Sequence, residues 1–177
     1  MTPKGPHWYI AYVKQSCEKK AAEYLSRRGI ENYLPTRREI HRWSDRNKIV
    51  EVVLLPHLIF VRCKEHERVK IPVDNPYCCS FMADGNGGAF HPAIVSDQEM
   101  DAFRSLVEHG AEQLEISPAH LAKGDRVKII NGPLAGTECE LISVGSRKCV
   151  GTGIGPLGTA YLEVSPSDIV KVNKQQQ

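Results

Sequence analysis

Lys123-Gly124-Asp125-Arg126-Val127-Lys128-Ile129-Ile130-Asn131-Gly132-Pro133-Leu134-Ala135-Gly136 is the stretch whose reading decides the fold. Val127 and Ile129 alternate with charged residues, the period of a strand buried on one face. Asn131-Gly132-Pro133 then breaks the strand as a turn. Gly124 and Gly132 permit tight turns, and Gly136 lets the chain reverse. Cys139 and Leu141 begin a second alternating run, and Thr159 to Val164 gives a third. Short strands parted by Gly and Pro turns over about 50 residues predict a small β-barrel. Within it, Gly151-Thr152-Gly153-Ile154-Gly155-Pro156-Leu157-Gly158 superficially suggests a phosphate loop. No helix start follows it and no Lys-Ser/Thr pair accompanies it, so it is read as a flexible hairpin loop.

Upstream, residues 111–122 are poor in aromatics, mildly acidic and contain Pro118, the composition of a linker between domains 1–110 and 123–177. The first domain opens with His7 to Val13, an aromatic and β-branched strand. Ser16 is placed to cap a helix from about Cys17 to Arg28, with Glu18 in its first turn, Arg27 and Arg28 in its last, and Gly29 as the stop. Ile30 to Leu34 is a second strand. A basic connecting loop leads to Ile49–Arg62, read as a buried strand interrupted near Pro56. A short helix from Glu65 should end before Pro72, and Tyr77 to Met82 is the last strand. Ala83 to Gly88 is a loop. Ser96 and Glu99 form a capping box for a helix closed by Gly110, with Met100, Phe103 and Val107 facing the core. The order β-α-β-β-α-β-α predicts an α+β domain: one antiparallel sheet with helices on a face.

Composition narrows the function classes. Of 177 residues 25% are charged and 41% hydrophobic, ordinary for a globular protein, and no apolar run reaches membrane-spanning length. Met1 to Pro6 lacks the hydrophobic core of a signal peptide, so a cytoplasmic protein with reduced, mostly buried thiols is expected. The six cysteines form no CxxC pair and sit at no zinc-finger spacing from histidine, so neither metal nor cofactor is expected. Net charge is only +2, but Arg37, Arg38, Arg42, Arg46 and Lys48 face only Glu39 and Asp45 in one short stretch, a local patch beside Trp43. Arginines next to an aromatic suit a nucleic-acid backbone or an unstacked base. His57 with Cys63, or His91 with Cys79, could be imagined as thiol–imidazole pairs, but no spacing supports either, and no enzyme is expected.

The 123–136 stretch resembles the KOW motif. Trp8-Tyr9-Ile10-Ala11-Tyr12-Val13, the helix to Gly29, Val53 to Val61, Phe81-Met82 and Ser96 to Met100 together resemble the N-terminal domain of the NusG family of transcription elongation factors. The motif order spans about residues 7–172. In that family the N-terminal domain grips the clamp-helix coiled coil of the largest RNA polymerase subunit through an apolar depression. By position, the resemblance assigns that role to Trp8, Tyr9, Leu54, Leu55, Pro56, Leu58 and Phe60. It also implies that Arg37, Arg38, Arg42, Trp43, Arg46 and Lys48 face upstream or non-template DNA.

Two departures from the family pattern stand out. Leu55-Pro56-His57-Leu58 replaces the usual Phe-Pro-Gly-Tyr. Ile154, Pro156 and Leu157 stand where housekeeping members present an aromatic to Rho or a ribosomal protein, so recruitment of those partners is not implied. With Arg42-Trp43-Ser44-Asp45-Arg46, these features resemble specialised paralogues of the UpxY and RfaH type, antiterminators of single long operons such as those for capsular polysaccharide. The alternative is a ribosome-associated RNA-binding KOW protein. It would need a more basic chain than residues 123–177 provide, with seven basic against five acidic residues.

Overall fold

The computed structural model describes residues 5–42, 44–85 and 90–172. The chain divides into two compact units, residues 1–97 and 98–177.

In the first unit, β1 (His7–Val13) leads to α1 (Glu18–Arg27), β2 (Glu31–Tyr33), the hairpin β3 (Thr36–Arg42) and β4 (Asn47–Val53), then β5 (Leu58–Cys63), α2 (Glu65–Asp74), β6 (Cys78–Phe81) and β7 (Ile94–Val95). The main sheet runs β2-β5-β1-β6, with β7 also pairing with β1, and every pairing is antiparallel. Register sorts its side chains. His7, Tyr9 and Ala11 stand opposite Cys63, Val61 and Ile59, while Trp8, Ile10 and Tyr12 stand opposite Arg62, Phe60 and Leu58. Facing pairs share a side of the sheet. From the first set Tyr9, Ala11, Ile59, Val61 and Cys63 pack with Ala21 and Leu25 of α1 and Ile71 of α2 into one core. Each fully buried large aliphatic there contributes about 1.5–3 kcal/mol.

Several local expectations need revision. Ser16 does not cap α1; it takes a left-handed φ of +56°, the N-cap position falls on Cys17, and no side chain caps the helix. The α2 helix runs through Pro72 to Asp74. A proline in the last turn interrupts only one helical hydrogen bond, which is why it did not stop the helix earlier. The basic segment, read as a loop, is the two-stranded antiparallel hairpin β3-β4, with Ile40 opposite Ile49. Consequently the run read as one interrupted strand is two strands in different sheets, parted at Leu54 to His57.

The second unit holds most of α3 (Asp97–Gly110), followed by β8 (Glu115–Ser117), β9 (Lys123–Ile129), β10 (Glu138–Val144), β11 (Arg147–Gly153), β12 (Thr159–Glu163), a 3₁₀ turn over Pro166–Asp168 and β13 (Ile169–Lys171). On α3, Met100, Phe103 and Val107 are buried, as the stripe requires, together with Ala102 and Leu106. The Ser105 hydroxyl lies 2.6 Å from that of Thr137. The six strands form one antiparallel sheet in the order β13-β9-β10-β11-β12-β8, an open path rather than a closed ring among the described residues. The segment 111–122 is not free of structure: β8 lies within it and pairs with β12. Glu115 on β8 accepts hydrogen bonds from Arg147 (2.6 Å) and from the Tyr161 hydroxyl (2.9 Å).

The glycine-rich run is only in part the loop expected. Gly151 lies in β11, paired with Glu140 on one side and Tyr161 on the other. A Cβ there would sit 2.8 Å from Ile142 Cδ1 and from Tyr161 Cβ, and closer still to the Ala160 carbonyl oxygen. Only Ile154 to Gly158 forms a turn, closed by the Ile154 N–H on the Gly158 carbonyl at 3.0 Å. Gly124 likewise lies in β9 rather than in a turn.

Candidate functional site

The seven residues assigned to an apolar contact surface separate into two groups. Trp8, Tyr9 and Phe60 are core, each no more than 2% exposed. Strand residues in a sheet buried on both faces have no free side to offer, so these three support the site rather than form its surface. Tyr9 also donates its hydroxyl to Glu65 (3.2 Å), and burial followed by the nearby Glu65 charge pushes its pKa up to about 12. The Arg68 guanidinium lies over Tyr9, Phe81 and Phe90 at 5.4–5.6 Å from each ring centroid and pairs with Glu65. Leu54, Leu55 and Leu58 are partly exposed and Pro56 is exposed. Tyr12, absent from the sequence assignment, is 40% exposed and stands directly opposite Leu58. Its signal was the strand period: Tyr12 follows Trp8 and Ile10 on the same side and emerges where β1 ends.

Leu55 to Leu58 is a tight turn. The Leu58 N–H reaches the Leu55 carbonyl at 3.3 Å, Pro56 occupies the second position, and His57 takes φ +66° in the third. Proline followed by a positive φ is the signature of a type II turn, which normally selects glycine at that third position. Glycine meets that demand without penalty, whereas His57 meets it at a conformational cost. Backbone bonds fix the turn to the sheet. Leu54 N–H donates to the Pro35 carbonyl (2.9 Å) and Val13 N–H donates to the His57 carbonyl (2.8 Å). The His57 N–H donates to Glu18 Oε1 at 2.9 Å.

The basic residues all lie on or beside the β3-β4 hairpin, but on opposite sides of it. Cross-strand register puts Arg38, Ile40 and Arg42 on one side, with Ile49 and Glu51. Arg37, Glu39 and His41 occupy the other, with Lys48. On that second side Arg37 is engaged by Glu39 (2.5 Å), which also meets His41 (3.4 Å). The Arg37 hydrogen bond, then that of His41, holds the Glu39 carboxyl below its usual range. On the first side Glu51 is held by Lys19 at 2.9 Å. Arg38, Arg42 and Arg46 are exposed, as is Lys48. Ile40 and Ile49 are each 68% exposed, an apolar pair the charge count did not anticipate. Trp43 lies outside the described residues.

Elsewhere among the described residues, the cysteines gather into no reactive group. Cys63, Cys78, Cys139 and Cys149 are buried free thiols, Cys17 is partly exposed and Cys79 exposed. Burial pushes Cys63 and Cys139 up to about 12 and Cys78 to about 11, the opposite of an activated nucleophile. Among the described residues no group of three or more His, Cys, Asp or Glu side chains is placed to hold a metal ion. No helix among them is long and apolar enough to cross a membrane.

A family model described as "Transcription termination factor nusG" matches residues 6–104. The curated proteins give no match. Among solved structures, that of Thermotoga maritima NusG, described by its domain interaction, is similar across 95% of this chain and 98% of that one. Its sequence identity is 20% and the TM-score 0.45.

Proposed function

The chain belongs to the NusG family of transcription factors, and from that premise we propose that it binds RNA polymerase and suppresses pausing or termination. The observation that carries the binding site is the accessible apolar group formed by Tyr12, Leu54, Leu55, Pro56 and Leu58 at one end of a rigid sheet. Small apolar anchors on a scaffold held by backbone bonds suit a coiled-coil partner such as the polymerase clamp helices. Bridging of this kind works by binding alone: it disfavours clamp movements that accompany pausing and needs no catalytic group.

The operon-specific reading is favoured by the sequence of the turn and of the second unit. Leu55-Pro56-His57-Leu58 departs from the aromatic-rich form, and Ile154 in the turn after β11 is fully buried and offers no aromatic to a partner. The exposed arginines of the hairpin support contact with upstream or non-template DNA. The ribosome-associated reading has the modest charge of residues 123–177 against it.

The test is capture of purified RNA polymerase by the wild-type protein and by a Leu55→Asp, Leu58→Asp variant. The reading expects retention by the first and loss by the second, with both folded by circular dichroism. Wild-type protein that captures ribosomes or free RNA and leaves polymerase unbound sinks it.

A further inference from the structure

We propose that Glu18 is a positioning residue for the apolar turn, fixing the peptide between Pro56 and His57 in its type II orientation within the segment that carries Leu55, Pro56 and Leu58. The inference rests on the reading of that turn as the polymerase contact. Type I and type II turns differ by a flip of their central peptide, and a side-chain-bearing residue in the third position favours type I. His57 is such a residue, yet it holds φ +66°. In a type II turn the N–H of the third residue points out of the turn and needs a partner elsewhere. Glu18 supplies that partner: Oε1 lies 2.9 Å from the His57 nitrogen, and the residue is 8% exposed.

The other bonds at the turn join backbone to backbone and involve groups that do not turn over with this peptide. They are Leu54 N–H on Pro35, Leu58 N–H on Leu55 and Val13 N–H on His57. Glu18 is therefore the side chain that selects between the two forms. Its own placement is local: Ser16 at φ +56° and the Cys17 N–H on the Lys14 carbonyl (3.0 Å) turn the chain so that α1 begins with Glu18. Without this acceptor the His57 N–H is orphaned, the peptide flips, and the Pro56 carbonyl and the His57 side chain change aim. With glycine at position 57 the type II form stands without help, because glycine takes positive φ without penalty.

The experiment compares four full-length proteins: wild type, Glu18→Gln, Glu18→Met, and Glu18→Met with His57→Gly. The turn is read by the NMR cross-peak between the Pro56 Hα and the His57 (or replacement) N–H, strong in type II and weak in type I. Affinity for purified polymerase is read in parallel. Glu18→Gln keeps an acceptor and should keep the cross-peak, with affinity within about twofold. Glu18→Met keeps the length without the acceptor and should lose the cross-peak and weaken binding about tenfold. Adding His57→Gly should restore both, which a direct Glu18 contact to polymerase would not allow. Should Glu18→Met not fold, Glu18→Ala with and without His57→Gly repeats the comparison. An unchanged cross-peak in the Met or Ala variant, or a turn restored by glycine with no recovery of affinity, overturns the inference. Absence of polymerase binding by the wild type overturns the proposed function instead, and the cross-peaks alone then decide whether Glu18 sets the turn.

Discussion

Replacing His57 by glycine should stabilise the first unit, and the size of the gain follows from the backbone. His57 holds φ +66°, where a residue with a Cβ is disfavoured by about 1–2 kcal/mol relative to the right-handed region. Glycine removes that cost but loses more conformational freedom on folding, about 0.5–1 kcal/mol relative to alanine. The imidazole is exposed, so little packing is forfeited. The net expectation for His57→Gly is a gain of about 0.5–1 kcal/mol, equivalent to about 1–4 °C in melting temperature for a chain of this size. His57→Val makes the opposite case, because a β-branched side chain tolerates positive φ worst, and should cost about 1 kcal/mol or more. Urea unfolding of all three proteins at unchanged m-value is the assay, with amide exchange of Ala11 and Val61 reporting on the first unit alone. Glycine destabilising the unit while valine leaves it unchanged would refute the turn assignment.

Other outcomes follow from the same geometry. Arg42→Ala with Arg46→Ala should make the salt dependence of binding to a transcription bubble shallower by about 1.4–1.8 in log–log slope, two lost phosphate contacts; an unchanged slope removes the hairpin from the nucleic-acid interface. Gly151→Ala should cost about 3 kcal/mol or more, since the added methyl meets the Ala160 carbonyl and the Tyr161 and Ile142 side chains; wild-type unfolding in urea would show the sheet gives way cheaply. In native protein a thiol reagent should modify Cys79 and then Cys17, leaving the four buried thiols until the chain unfolds, as peptide mapping will show. Tyr9, Cys63, Cys78 and Cys139 have folded pKa values of about 11–12, above those of the unfolded chain, so the native state binds more protons in alkali. Their contribution is intact below about pH 9 and is lost as pH rises toward 12; stability rising across that window would contradict it.

Much of the architecture could be read from side-chain period. The β1 strand emerges at the bounds the aromatic run suggested, and Met100, Phe103 and Val107 are buried on α3 as their spacing required. What period could not report is which sheet a strand joins. The two halves of Ile49–Arg62 are similarly apolar, yet one is an exposed hairpin arm and the other a central strand. Pro56 marked the break but not the change of partner. The strand β11 was hidden because Gly151 and Gly153 resemble a loop, and only the crowding around Gly151 shows why a strand needs glycine there. In the candidate site, residue type selected a segment but carried no information on depth. Trp8, Tyr9 and Phe60 are apolar because they are core, and residue type does not mark Tyr12 as accessible because exposure is a tertiary property. The hairpin arginines were found by charge alone, whereas their division between two sides depends on register, which no count of charges contains.

No residue described in β3 or β4 is buried, and Ile40 and Ile49 face solvent across from each other. Substitutions at such positions typically shift stability by no more than about 0.5 kcal/mol in either direction. The hairpin can therefore be rewritten residue by residue while the sheet that carries it keeps its sequence and its shape. A lineage could retarget such a protein to a different nucleic acid or polymerase surface through this arm alone, with the core exerting no opposing selection.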